Sequence, residues 1–190
     1  MIQAKQDIQT RFGPDAARTV GPQLGNPTIG DPTVQPAAQD RSRGALIGAV
    51  VGEVLGEPVE DRPRSWITAH YGVINGHLVP SPSAGSDTQL TLMTADSILA
   101  DPVNHPARFA ARIAAASIDT RGQAILRAQD AVRAGNPWWA IASPDSAGTS
   151  GAARCAVFGL LWAGDPRRAA YEAALSTALT HGHPVATSAA

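Results

Sequence analysis

The chain has 190 residues, enough for one domain with a hydrophobic core and too few for two of ordinary size. Fifteen Lys+Arg against sixteen Asp+Glu leave a formal charge of −1, and no basic stripe runs along the sequence. A nucleic-acid-binding protein would need that phosphate-attracting surface, so nucleic acid is excluded as a main partner. The one cysteine, Cys155, cannot form an internal disulfide or a zinc cluster and suits a reducing compartment. The longest apolar run, Ala45 to Gly52, stops at Glu53, far short of the ~20 residues that cross a bilayer. Met1 to Val20 scatters Lys5, Asp7, Arg11, Asp15 and Arg18 where a signal peptide would be apolar. The expectation is a cytoplasmic chain with no membrane partner.

Residues 1 to 40 set Pro14, Pro22, Pro27, Pro32 and Pro36 among Gly13, Gly21, Gly25 and Gly30 without a sustained period, and read as a flexible leader. From Arg41 the pattern becomes helical, giving a domain over 41–190. The first helix, 41–56, carries Gly44, Gly48, Gly52 and Gly56 at steps of four. Each costs about 1 kcal/mol relative to alanine, so a bare stripe implies something packed closely there, either another helix or a ligand. A second helix starts at Ser86 or Asp87 and runs to Ala100, with Leu92, Ala95 and Leu99 on its inner side. Phe109 and Ile113 mark a third. Ile125, Ala128 and Val132 mark a fourth, closed by Gly135. A fifth covers 152–163 and ends at Gly164. Asp165 and Pro166 then supply an N-cap and a first-turn proline for a sixth, which runs to about Gly182 with Tyr171, Leu175, Ala178 and Leu179 inward. Two stretches, 61–85 and 136–150, show no period and read as long loops. With no alternating strand anywhere, the fold class is all-α.

Four segments, in order, carry a resemblance. They are Gly44-Ala-Leu-Ile-Gly-Ala-Val-Val-Gly-Glu-Val-Leu-Gly-Glu-Pro-Val-Glu60; Ser86-Asp-Thr-Gln-Leu-Thr-Leu92; Gly151-Ala-Ala-Arg154 running into Phe158-Gly-Leu-Leu161; and Leu179-Thr-His-Gly-His-Pro184. Together, over about 44–190, they resemble the ADP-ribosylglycohydrolases. That family is an all-α, Mg²⁺-dependent hydrolase fold that releases ADP-ribose from modified acceptors. The resemblance implies ADP-ribose or an ADP-ribosylated protein as ligand, with two Mg²⁺ ions as cofactor.

By the same resemblance Glu60 matches the catalytic glutamate placed against the scissile ribose, where a carboxylate can orient or deprotonate the attacking water. Glu53, Ser86 and Asp87 match the metal-ligand positions. Ser150, Gly151 and Arg154 match the loop-to-helix segment that approaches the diphosphate, and His181 the segment beside the ribose. The residues themselves leave other readings open. Glu57, Glu60 and Asp61 also suit a solvated turn after a helix. Ser86 with Gln89 three residues on forms a capping box. Ser150 and Gly151 suit a plain helix-starting turn, and His181 with Gly182 a helix C-cap. Trp138, Trp139 and Tyr71 could stack on an adenine or simply pack.

The sequence departs from the family pattern in four places, one of them at Thr149-Ser150-Gly151-Ala-Ala-Arg154, where Ser150 replaces an asparagine and no methionine precedes the arginine. Glu53 stands where the family has Asp, and Gly85-Ser86-Asp87-Thr88 stands for Thr-Asp-Asp-Thr. Nothing after Pro184 supplies the family's late Asp-x-Asp run. The expectation is therefore an ADP-ribosylglycohydrolase-like domain incomplete at its C-terminus, with impaired hydrolysis. The alternatives are a non-catalytic, immunity-like pseudoenzyme that binds ADP-ribose or a partner protein, and an inactive truncated remnant whose exposed helix faces require a complementary chain or self-association.

Overall fold

The computed structural model describes residues 36–80, 83–103, 105–120 and 122–183. Nearly all of the expected leader lies outside these residues, as do Pro184 to Ala190. The helices are α1 (Pro36–Gly56), α2 (Arg64–Tyr71), α3 (Ser86–Ala100), α4 (His105–Ala115), α5 (Gln123–Arg133), α6 (Ser150–Ala153), α7 (Ala156–Leu161) and α8 (Pro166–Ala178). Single 3₁₀ turns follow α1 (Glu57–Val59) and α5 (Trp138–Ala140). Among the described residues the only pairing outside helices is an isolated parallel bridge between Ser143 and His181. The all-α expectation holds. No helix among them is long and apolar enough to cross a membrane.

Local chemistry sets several boundaries where the sequence marked them. Asp165 caps α8 by accepting a bond from the Arg168 N–H at 3.1 Å, with Pro166 in the first turn. Past the end of α5 the chain turns back at Gly135, whose φ of 89° suits glycine. The Asn136 N–H there returns to the Ala131 carbonyl at 3.0 Å. The carbonyls at the end of α4 are met from α5: Gln129 Nε2 donates to Ile113 O at 2.6 Å and Ala116 O at 2.7 Å, and Arg133 Nε to Ala114 O at 2.9 Å. His105 at the head of α4 is tied to Glu172 of α8 by a buried 2.8 Å contact.

α3 is the central element. It packs on α4, and also touches α1, α6 and α7. Its Leu90 joins Phe109, Ile113, Ile125 and Leu179 in one core cluster, and its Ile98 joins Val157, Phe158 and Ala173 in a second. The inner face of α3 is not the expected one. Leu90, Thr91, Thr94, Ser97 and Ile98 are buried, while Leu92 and Leu99 stand 55% and 61% exposed; Ala95 is half-buried. The hydroxyls explain the difference. Thr91, Thr94 and Ser97 each bond back to the carbonyl four residues earlier, at 2.7, 2.8 and 2.6 Å, so they enter the core with their polar atoms satisfied.

Other elements also differ from expectation. α1 begins at Pro36, inside the expected leader, and its glycine stripe packs against nothing: a Cβ at Gly44, Gly48, Gly52 or Gly56 would meet no atom within 4 Å among the described residues. Ile47 and Val51 on that helix are 63% and 45% exposed. α2 occupies part of the expected loop, its stacked Trp66 and His70 rings 3.9 Å apart. The expected fifth helix is two, because the Cys155 N–H bonds to Ala152 O and the Phe158 N–H to Cys155 O, tightening the turn around Arg154 to i→i+3 bonding. The sixth ends at Ala178; Ala178 and Leu179 are buried, but Tyr171 and Leu175 only half so, and Glu172, Ala173, Ser176 and Thr177 complete its inner face.

The reassigned face of α3 is directly testable. Leu90→Ala should lower unfolding free energy by ~2–5 kcal/mol, whereas Leu92→Ala should change it by no more than about 0.5 kcal/mol. Urea denaturation of both variants measures the contrast, and equal losses would restore the leucine face.

Candidate functional site

The end of α1 delivers Glu53 to the first turn of α3. The Asp87 N–H donates to Glu53 Oε1 at 2.7 Å and the Thr88 N–H to Oε2 at 3.1 Å; the Thr88 hydroxyl also donates to Oε2. A carboxylate here satisfies orphan amides and complements the positive end of the helix dipole. The expected Ser86–Gln89 capping box is absent. Ser86 is the first helical residue, Gly85 is the N-cap, and no N-cap side chain bonds to the helix. Gly85 has ordinary extended angles (φ −90°, ψ −158°), so its backbone does not demand glycine. Space does: a Cβ there would lie 2.6 Å from Glu53 Oε1.

Asp87, in the same turn, is half-buried. Burial pushes its carboxyl above the usual aspartate range, Glu53 and Glu60 push it further, and Arg154 opposes them. Glu60, exposed just past the 3₁₀ turn, therefore shares an acidic neighbourhood with Glu53 and Asp87, and Arg154 acts on Asp87 in the opposite sense. Among the described residues no group of three His, Cys, Asp or Glu side chains is disposed to hold a metal ion. Both Glu53 oxygens already accept from protein donors, and Ser86 offers only a neutral hydroxyl. This donor set does not fit a pair of Mg²⁺ ions, which are held largely by carboxylate and water oxygens.

The other half of the site centres on Arg154, which is wholly buried. Its guanidinium donates to Ser176 O at 2.6 Å, Thr180 Oγ1 at 2.7 Å, Ser176 Oγ at 3.2 Å and Ser150 O at 3.3 Å, and lies 5.0 Å from the Phe109 ring centre. Burial lowers its pKa to about 10, against the pull of Cys155 and Asp87, so it stays charged at neutral pH. Thr180 Oγ1 also contacts His181 Nδ1 at 2.7 Å, and His181 Nε2 contacts Ser150 Oγ at 3.2 Å. Ser150, Arg154, Thr180 and His181 thus form one connected network. Gly151 lets α6 press on α8, since a Cβ there would stand 2.5 Å from Thr177 Cγ2 and 3.3 Å from His181 Nδ1. Gly182 lets the chain pass the 143–144 backbone, to which its N–H bonds at Ser143 O (3.2 Å).

The structure therefore brings Glu53, Glu60, Ser86 and Asp87 to one neighbourhood and Ser150, Gly151, Arg154 and His181 to another, joined electrostatically between Asp87 and Arg154. Sequence reasoning missed Ser176, Thr177 and Thr180 as the partners that hold Arg154 and His181. The spacing of Thr177, Thr180 and His181 at i, i+3 and i+4 was an available cue. The aromatic candidates are engaged with one another: Trp138 meets Trp139 edge-on at 5.4 Å and packs on the core, and Tyr71 meets Trp66 at 5.9 Å. A separate cavity of about 370 Å³ lies between α7 and α8, walled by Cys155, Gly159, Trp162, Ala169 and Ala173. Burial raises the pKa of the Cys155 thiol, which reaches Gly151 O at 2.9 Å.

His181 gives this site a pH signature. Burial, and then Arg154, hold its imidazole at about 4, below the ordinary ~6.5. Below about pH 6.5 the unfolded chain takes up a proton that the folded chain refuses. The resulting stability is complete above that pH, declines toward pH 4 and declines no further below it. Urea denaturation between pH 7.5 and 4.5 should show this loss, and His181→Asn should flatten it; an unchanged slope would mean that the folded imidazole titrates normally.

A family model for the ADP-ribosylglycohydrolases matches residues 34–190. No curated protein and no solved structure matches the chain. The segments that carry the resemblance are those that meet around Asp87 and Arg154, and the chain belongs to the ADP-ribosylglycohydrolase family.

Proposed function

We propose that this chain recognises the ADP-ribosyl group through the Ser150–Arg154–Thr180–His181 network and releases ADP-ribose from modified acceptors only slowly. One observation carries the reading: the Arg154 cation is fully buried and all four of its hydrogen-bond acceptors are uncharged. Holding an ion out of water with only neutral groups in direct contact costs several kcal/mol, and the Asp87 charge, which makes no hydrogen bond to it, offsets part of that cost. An anion arriving beside Ser150 and Gly151 would offset that cost, and a diphosphate supplies two negative charges on a short, rigid group. His181, neutral at physiological pH, adds a hydrogen-bonding group without competing for the anion.

The hydrolytic part of the reading rests on Glu60. Water attacking C1″ of the ribose would lose its proton to this exposed carboxylate as the bond from C1″ to the acceptor breaks, and the departing acceptor would take up that proton and restore the carboxylate; such general-base action contributes typically 10²–10⁴-fold. The donor set around Asp87 does not fit Mg²⁺, so in this reading Glu60 acts without a metal. Turnover is slow on that account.

Calorimetry with ADP-ribose tests recognition. Binding is expected in EDTA, weaker by about tenfold or more in Arg154→Met, as for the loss of a charged hydrogen-bonding centre. Glu60→Gln should bind normally while releasing less ADP-ribose from a modified protein. No binding by the unaltered chain, with or without Mg²⁺, overturns the reading.

A further inference from the structure

We infer that Glu53 and Gly85 form an interlock that replaces cation binding at the head of α3, so the chain holds this part of its fold together with an internal carboxylate and no divalent metal. The inference stands apart from ADP-ribose recognition, since it concerns only how α1 and α3 are joined.

Three observations support it. First, the Glu53 carboxylate is already used: it accepts from the Asp87 and Thr88 amides and from the Thr88 hydroxyl. A cation placed on the same oxygens would compete with these donors and would face the positive end of the α3 dipole. Second, Gly85 is glycine for reasons of space alone. Its backbone angles suit any residue, yet a Cβ would stand 2.6 Å from Glu53 Oε1 and 3.2 Å from Glu53 Cδ. The end of a glutamate side chain can usually swing away, but here moving it breaks the cap. Third, the two partners sit 32 positions apart in sequence, so their fit joins the end of α1 to the head of α3 by packing and not by local sequence.

The interlock predicts coupling between the two positions. In the full chain, Gly85→Ala should lower Tm by about 3 °C or more and Glu53→Ala by a similar amount, the scale of a lost charged cap in a chain of this length. In the Glu53→Ala background, adding Gly85→Ala should lower Tm by less than about 1 °C, because the clash has gone. Equal effects of Gly85→Ala in both backgrounds overturn the interlock. A second measurement does not require the variants to fold. On the unaltered chain, replacing EDTA by millimolar Mg²⁺ or Mn²⁺ should move Tm by less than about 1 °C, and the Mn²⁺ resonance should remain that of the free ion. A rise of several degrees, or stoichiometric loss of the free Mn²⁺ signal, overturns the replacement of cation binding.

Discussion

A buried guanidinium governs the arrangement of this domain. Arg154 lies at the tight turn between α6 and α7, and its donors reach back to Ser150, across to Ser176 on α8 and on to Thr180 beyond it. Four hydrogen bonds leave it little freedom, and with the Phe109 ring they fix how the 150–161 segment meets α8 and α4. His181 and Ser150 are placed by the same contacts. The positive charge is kept in the interior with only neutral groups hydrogen-bonded to it, and Asp87 is the carboxylate that acts on it electrostatically.

Facing it is the opposite arrangement. Glu53, Glu60 and Asp87 gather at the head of α3, and the result is a half-buried aspartate whose carboxyl is held above its usual range. Among the described residues Glu53 is the one that ties elements together: it closes the end of α3 and joins it to α1. α3 therefore connects the acidic and basic sides of the site while its inner face feeds both core clusters. Its three back-bonded hydroxyls let a polar-looking face enter the core. Its leucines at 92 and 99, with Ile47 and Val51 of α1, lie open to solvent among the described residues.

How much of this was legible beforehand depends on the range of the interactions. The α8 cap at Asp165, the turn at Gly135, the extent of α3 and the inward positions of Phe109, Ile113, Ile125 and Ala128 all follow from residues a few positions apart, and the sequence alone settled them. The order of the four motif segments also sufficed to identify the family. What local sequence does not supply is the identity of a distant neighbour. No described residue packs against the glycine stripe of α1, and the end of α3, where Ser86 suits a cap, is closed by a carboxylate from 33 residues earlier.

Tertiary structure alone decided the rest, and the reason is geometric. Which face of α3 turns inward depends on whether its hydroxyls can be satisfied by its own backbone, which makes Thr94 as good a core residue as a leucine. Whether Arg154 sits in water or in the interior depends on Ser176 and Thr180, more than 20 residues away in the chain. Gly85 is required by the carboxylate packed against it, since its own angles suit any residue. The sequence determines the helices, their punctuation and the family; only packing determines which charges come near one another and which hydrogen-bond to neutral groups alone.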